Sequence, residues 1–255
     1  MTALLPLVEI VTGSFWIGLV VFLRVGAMMM AMPALGEQMI PARFKLFIAL
    51  MMTTVVTPAV APHLDLPEPT LNVFLYAIAT ETIAGLFMGM MLRMFVMAIQ
   101  VAGAMAAQST SLSQILGSAG MDPLPAIGQI LFMATLALLM TTGFHVKAAM
   151  FIMLSYEILP ALEFPNPADV AEAGAMRVSK TVSLAFTLAA PFVILSVLYN
   201  LTLGVINKAM PQLMVAFVGA PVITFGAMAM LLVAAPLMLT VWFEAFEAFL
   251  VAPFR

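Results

Sequence analysis

Apolar residues run along this chain in six long blocks, at about 4–31, 45–62, 71–97, 124–158, 178–206 and 212–248. No repeat of fixed period is visible. Three uncharged runs, Leu124–Val146, Thr181–Asn207 and Ala209–Phe243, each reach the ~20 residues that carry a helix across a bilayer core. The pattern predicts about six long helices in an all-α membrane protein. The connections are short and rich in helix breakers. "MPALGEQMIPARFK" (32–45) holds Pro33, Gly36 and Pro41, and "TPAVAPHLDLPEPT" (57–70) holds four prolines, each of which removes a backbone donor. "LPALEFPNPADVAEAGAMRVSK" (159–180) is the most polar stretch, and Asn166 or Asp169 in it can cap a short interfacial helix.

The six blocks are imperfect as simple spans. Glu9, Glu81 and Lys147 lie inside apolar runs, and Pro191, Pro221 and Pro236 interrupt the last two. A charge at mid-bilayer costs about 2.5–3.5 kcal/mol on insertion scales, so these groups are expected to face protein or water. The run from Ala209 to Phe243 would measure roughly 50 Å as one helix, against a hydrocarbon core of about 30 Å. It must bend at its prolines or extend past the membrane, and both point to packing within an assembly. The positive-inside rule puts Arg24, Arg43, Lys45, Arg93 and Lys208 on one side and Asp65 and Glu68 on the other, with Arg177 and Lys180 breaking the pattern.

Composition agrees with the pattern. The mean hydropathy is +1.17. Only 8% of the 255 residues are charged, where a soluble domain carries about 25%. A net charge of -3 with scattered basic residues gives no reason to expect a nucleic-acid partner. The chain has no cysteine, hence neither disulfides nor thiolate metal sites. No Lys or Arg precedes Arg24, so the basic region of a cleavable signal peptide is missing and the first helix is expected to be retained.

Several stretches carry candidate roles. In "AIATETIAGLFMGMMLRM" (77–94), Ala77, Glu81, Gly85 and Gly89 recur every four residues along one helix face. Small residues at that spacing let helices approach closely in lipid. Glu81 needs a buried partner, which cannot be Arg93, twelve residues along the same helix and thus about 18 Å away. The face reads as a packing seam or, less simply, as the seat of an ion-carrying carboxylate.

"AAQSTSLSQILGSAGMDPLPAIGQ" (106–129) interrupts the apolar pattern with Gln108, Ser109, Thr110, Ser111, Ser113, Gln114 and Ser118, followed by Gly117, Gly120, Pro123 and Pro125. Irregular backbone at membrane depth is tolerated only where protein encloses it or water lines it. The stretch is therefore an external loop or a loop folded into a pore, and its low charge favours the second. The 25 methionines, clustered at 28–32, 51–52 and 88–97, fill irregular gaps or line a deformable seal.

No catalytic, cofactor-binding or metal-ligating constellation is found. His63 and His145 are isolated and lack metal-ligand spacing, and His145 beside Lys147 reads as a helix-end residue. "APFVILSVLYNLTLGVINKAMPQLMVAFVGAPVITFG" (190–226) reads as two apolar arms around a polar tip, with Lys208 and Pro211 at the turn. Asn200, Gly204 and Asn207 share one face, where Asn and Gln side chains such as Gln212 can bond across helices.

"NLTLGVINKAMPQLMVAFVGAP" resembles the Asn-Leu-x-Leu-Gly-x-x-Asn-(Arg/Lys)-x-x-Pro-Gln signature of the R-subunit family of the flagellar type III export gate, the family of FliR and of the T or SpaR subunits of injectisomes. Supporting matches are "RVGAMMMAMPALGEQMIPARFKLFIAL" (24–50), "ETIAGLFMG" (81–89), "AGAMAAQSTSLSQILGSAGMDP" (102–123) and "TTGFHVKAAM" (141–150). Lys208 stands where Arg is common in the family, and 159–180 is only weakly similar.

The resemblance implies a region like the gate's P subunit over 1–175, then a helical hairpin like its Q subunit over 176–255. These would join P-type and Q-type subunits in a helical pore ring, much of it raised out of the bilayer plane. It further implies contact with the B-type switch subunit, membrane lipid and unfolded exported proteins, at the bacterial inner membrane in the flagellar basal body. Energy would come from the ATPase and proton-motive force of the wider apparatus. By position, 109–125 would be the plug that closes the pore, with Gln108, Ser109, Thr110, Ser111, Ser113, Gln114, Gly117, Met121, Asp122 and Pro123 in or beside it. Assembly would fall to Glu81, Gly85, Gly89, Asn200, Gly204, Asn207, Lys208, Pro211 and Gln212. The alternative is a secondary transporter of a small solute or ion, working through Glu81 and broken helices at the midplane.

Overall fold

The computed structural model describes residues 5–110, 126–210 and 215–253, with side chains described over 12–109, 126–210 and 222–253. The described residues form seven α-helices: α1 (Leu5–Ala31), α2 (Ala42–Val60), α3 (Leu71–Thr110), α4 (Ala126–Thr141), α5 (Phe144–Ile158), α6 (Pro167–Ala209) and α7 (Val215–Val251), with a 3-10 turn at Ala61–His63 after α2. Five helices are long and apolar enough to cross a membrane, or six if α4 and α5 count as one broken span. The all-α membrane architecture expected from the apolar blocks is present.

Three boundaries differ from the blocks, each for a local reason. The third block ends near 97, whereas α3 continues to Thr110. Alanine, the best helix former, carries it through Ala102, Ala104, Ala106 and Ala107 as hydropathy falls. The fourth block divides at Gly143, whose φ of 73° lies in the left-handed region and starts α5 afresh. The helix of the fifth block, α6, begins at Pro167, eleven residues before that block. Asn166 caps it, its Oδ1 accepting the Ala168 N–H at 3.1 Å, with proline at N1 and Asp169 in the first turn. The expected short interfacial helix is thus the start of a 43-residue one. Finally, Pro58, Pro191 and Pro236 sit inside continuous helices rather than ending them.

The chain divides into two compact units. One comprises Met1–Arg93 with Leu139–Arg177, the other Met94–Leu138 with Val178–Arg255. In the first, α1 packs on α2 and α2 on α5. Its core is built from 3- and 4-residue spacings: Val21, Val25 and Met28 of α1 with Met32 just after it, and Ala77, Glu81, Ala84, Met88 and Met91 of α3, all buried. The proline-rich connection folds back onto α1, where Trp16 Nε1 donates to the Pro67 carbonyl at 3.2 Å.

In the second unit the core is aromatic. Phe95 of α3 meets Trp242, Phe246 and Phe249 of α7 with ring centroids 6.4, 5.2 and 5.3 Å away. Trp242 Nε1 donates to the Phe95 carbonyl at 2.8 Å. A buried indole N–H needs such a partner, and this one fixes the rotation of α7 against α3.

Candidate functional site

Two opposite charges in separate apolar helices make the most buried polar feature. Arg24 of α1 and Glu81 of α3 are both fully buried, and Arg24 Nε donates to Glu81 Oε2 at 2.7 Å. The guanidinium also reaches the end of α5, where its Nη1 donates to the carbonyls of Ser155 at 3.0 Å and Leu159 at 2.7 Å. Nη2 lies 3.4 Å from the Pro160 carbonyl, and the guanidinium carbon is 3.8 Å from the Tyr156 ring centroid. Glu81 Oε1 accepts the Leu162 N–H at 2.8 Å. A planar five-donor cation suits such a multi-carbonyl site, and a cation at a helix C-terminus is favourable in itself. The group ties α1, α3 and α5 to the turn that leads into α6.

Arg24 is one of the five basic residues that the positive-inside rule places on one side. It lies within α1, buried and paired with Glu81. The clue was two opposite charges in long apolar helices, α1 holding besides Arg24 only Glu9 and α3 besides Glu81 only Arg93. A second pair, Arg93 with Glu37 at 2.5 Å, ties the far end of the same α3 stretch to the α1–α2 connection. There Lys45 Nζ also donates to the Gly36 carbonyl at 2.8 Å.

Below Glu81, the small-residue face of α3 lies on α1. A Cβ on Gly89 would stand 2.6 Å from the Met28 carbonyl and 3.0 Å from the Ala31 Cβ, and one on Gly85 would strike the Arg24 carbonyl. The obstacles are backbone atoms that cannot rotate away, so glycine is needed at both places. Met28, Met29, Met32, Met88 and Met91 are buried in the first unit, whereas Met30, Met51, Met90 and Met97 are exposed.

Of the residues assigned to the closing segment, Gln108, Ser109 and Thr110 form the last turn of α3. Ser111, Ser113, Gln114, Gly117, Met121, Asp122 and Pro123 lie outside the described residues. The Ser109 carbonyl accepts a hydrogen bond from the Ser196 hydroxyl of α6. Asn200 Nδ2 in turn donates to the Ser196 carbonyl at 2.9 Å and to its Oγ at 3.2 Å. Ser196 was not singled out from sequence, although its i, i+4 spacing to Asn200 was there to read.

Further along α6, Gly204, Asn207 and Lys208 are exposed near the helix end at Ala209. Pro211 and Gln212 fall outside the described residues, and α7 begins at Val215. His145 sits in the first turn of α5. Among the described residues no group of three His, Cys, Asp or Glu side chains is placed to hold a metal ion.

With this geometry in hand, comparison with known proteins gives one consistent picture. Residues 15–249 match the family described as bacterial export proteins, family 1. The chain is 31% identical over 237 residues to the flagellar biosynthetic protein FliR of Caulobacter vibrioides, covering 92% of this chain and 94% of the relative. It is 26% identical over 212 residues to the Bacillus subtilis protein of the same name, covering 80% of each. With that of Escherichia coli it shares 28% identity over 206 residues, 78% of this chain and 76% of the relative.

Proposed function

This chain belongs to the bacterial export proteins, family 1, the family of FliR, and we propose that it forms and seals the protein-conducting pore of the flagellar type III export gate. It is a membrane-embedded component of that gate and works in a complex with other export-gate subunits. P-type and Q-type subunits are the partners that its P-like 1–175 region and Q-like 176–255 hairpin would meet, in the inner membrane. The B-type switch subunit and unfolded exported chains would contact the finished assembly. Its role is to shape and close a conduit, with no bond-making step of its own.

One observation carries the assembly reading: the apolar outer faces are longer than a bilayer is thick. α3 has 40 residues and α6 has 43, or roughly 60 and 65 Å as straight helices. Exposed large side chains run along α6 from Met176 to Ile206, about 45 Å at 1.5 Å per residue, and along α7 from Val222 to Leu237, with Val251 exposed at its end. The hydrocarbon core covers about 30 Å. Only 22% of the most apolar window of α7 is buried within the chain, against 56% for α3. Sister subunits are the cover that suits the remainder.

The low-charge polar segment 109–125, set between two apolar helices, is the part best suited to plug the pore. The transporter alternative needs a Glu81 free to exchange its load, yet both of its oxygens are already engaged. Deletion of 109–125 from the assembled complex should raise its ion conductance while leaving subunit recovery intact. Unchanged conductance would refute the plug. Solute uptake by the chain reconstituted alone would restore the transporter.

A further inference from the structure

Where the α2–α3 connection folds back onto α1, it leaves a groove of about 520 Å³. Phe15, Trp16 and Leu19 of α1 line one side, and Pro69, Leu71 and Phe74 line the other. The Trp16 indole is buried and fixed in place. Its N–H is bonded to the Pro67 carbonyl and its ring centroid lies 6.4 Å from that of Phe74. Phe15 and Leu71, by contrast, are 71% and 72% exposed. Two large apolar side chains therefore flank a rigid apolar floor and have no cover among the described residues. All of these residues fall in the first compact unit.

The rim of this groove carries charge of one sign. Asp65 and Glu68 on the connection are exposed, and Glu68 immediately precedes Pro69. Glu163 is exposed as well, next to Leu162, which packs with Leu66 on the Trp16–Val20–Ala77 cluster. None of the three carboxylates takes part in an ion pair among the described residues. Neither stretch supplies a strong cation of its own. No Lys or Arg stands between Lys45 and Arg93, or between Lys147 and Arg177, and His63 is the one basic side chain on the connection.

We propose that this groove seats a helix of a sister gate subunit, one with apolar side chains at three- and four-residue spacing and Lys or Arg at its flanks. A helix laid into an apolar groove by such anchors is a recurring mode of recognition. Opposite charge around the groove selects the flanks and steers the encounter. The apolar floor alone would suit an acyl chain, but three carboxylates at its mouth repel an anionic headgroup layer. An exported chain would leave Phe15 and Leu71 bare between passages, so a resident partner fits the exposed apolar surface better. The proposal rests on the assembly reading above for the identity of the occupant. The groove and its charge stand apart from that reading.

The test uses the purified gate complex with the full chain, carrying p-benzoylphenylalanine in place of Phe15 or, separately, of Leu71. Irradiation is followed by mass spectrometry of the adducts. Both positions should cross-link to one segment of another subunit that bears Lys or Arg beside its apolar ridge. Glu68→Gln and Asp65→Asn should each lower the adduct yield roughly one-and-a-half- to fivefold at low salt, the range for one exposed ion pair. The loss should shrink at high salt, where such pairs are screened.

Adducts with phospholipid acyl chains would hand the groove to the bilayer and overturn the proposal. Adducts with exported protein alone would overturn it too, as would none from either position in a complex that retains its sister subunits. A partner segment without Lys or Arg, or yields indifferent to both variants and to salt, would overturn the charged rim. If no sister subunit is recovered with the wild-type chain, the assembly reading falls and takes the occupant with it. Normal assembly without either adduct refutes the groove alone.

Discussion

Replacing Arg24 by methionine removes a fully buried cation that holds Glu81 Oε2 and the carbonyls of Ser155, Leu159 and Pro160. The Ser155 carbonyl keeps its helical bond from the Leu159 N–H at 2.9 Å, so it is not orphaned. Glu81 is left with the Leu162 N–H alone. Breaking a buried ion pair by removing one partner costs about 3–5 kcal/mol. At about 2–4 °C per kcal/mol for a chain approaching this size, the apparent Tm should fall by roughly 6–20 °C. Glu81→Met should cost a similar amount, because it strands the cation. The double variant Arg24→Met with Glu81→Met should cost far less than the sum, since neither charge is then left unpaired.

The charge swap Arg24→Glu with Glu81→Arg is the sharper test. A carboxylate at position 24 would face the carbonyls at the end of α5, so exchange restores the pair but not the site. It should remain as damaged as a single variant. The assay is scanning fluorimetry of the purified gate complex, together with the yield of that complex. A swap that melts with the wild type, or single effects that simply add in the double variant, would refute the reading that the site has a fixed polarity.

Two further expectations concern helix contacts. Gly89→Val should push α3 off the Met28 carbonyl, where a Cβ has only 2.6 Å, and cost about 1–3 kcal/mol of overpacking. Gly226→Ala, with its nearest neighbour the Leu195 Cδ2 at 3.8 Å, should leave Tm and complex yield unchanged. Asn207→Leu and Lys208→Glu, on the exposed end of α6, should lower recovery of the complex without lowering the Tm of what is recovered. Wild-type recovery and swimming from both variants would remove the tip from assembly.

Much of the helical architecture was legible because lipid-length apolar blocks need helices. The first block, 4–31, and α1 at Leu5–Ala31 nearly coincide. What hydropathy missed is that leaving the apolar pattern is not the same as ending a helix. Glu172, Arg177 and Lys180 marked a polar connection by composition, yet they sit in the opening turns of α6. The Asn166–Pro167 start signal was the better guide, because a cap acts on backbone donors regardless of what the side chains face. At Gln108 and Ser109 the polar side chains likewise lie on the last turn of α3 rather than beyond it.

The charged residues teach the converse lesson about the site. A lone charge in an apolar helix can be read as a vote on topology or as half of a pair, and hydropathy treats the two alike. Of the five basic residues placed on one side by the positive-inside rule, Arg24 and Arg93 are neutralised by Glu81 and Glu37. Only Arg43, Lys45 and Lys208 keep their charge outside an ion pair among the described residues. Because the rule counts cations that resist crossing, a paired arginine should be struck from the count. Of the five, Arg43, Lys45 and Lys208 then remain to be weighed against Arg177 and Lys180, which break the pattern, so that Lys208→Glu would remove one of three votes for the expected orientation.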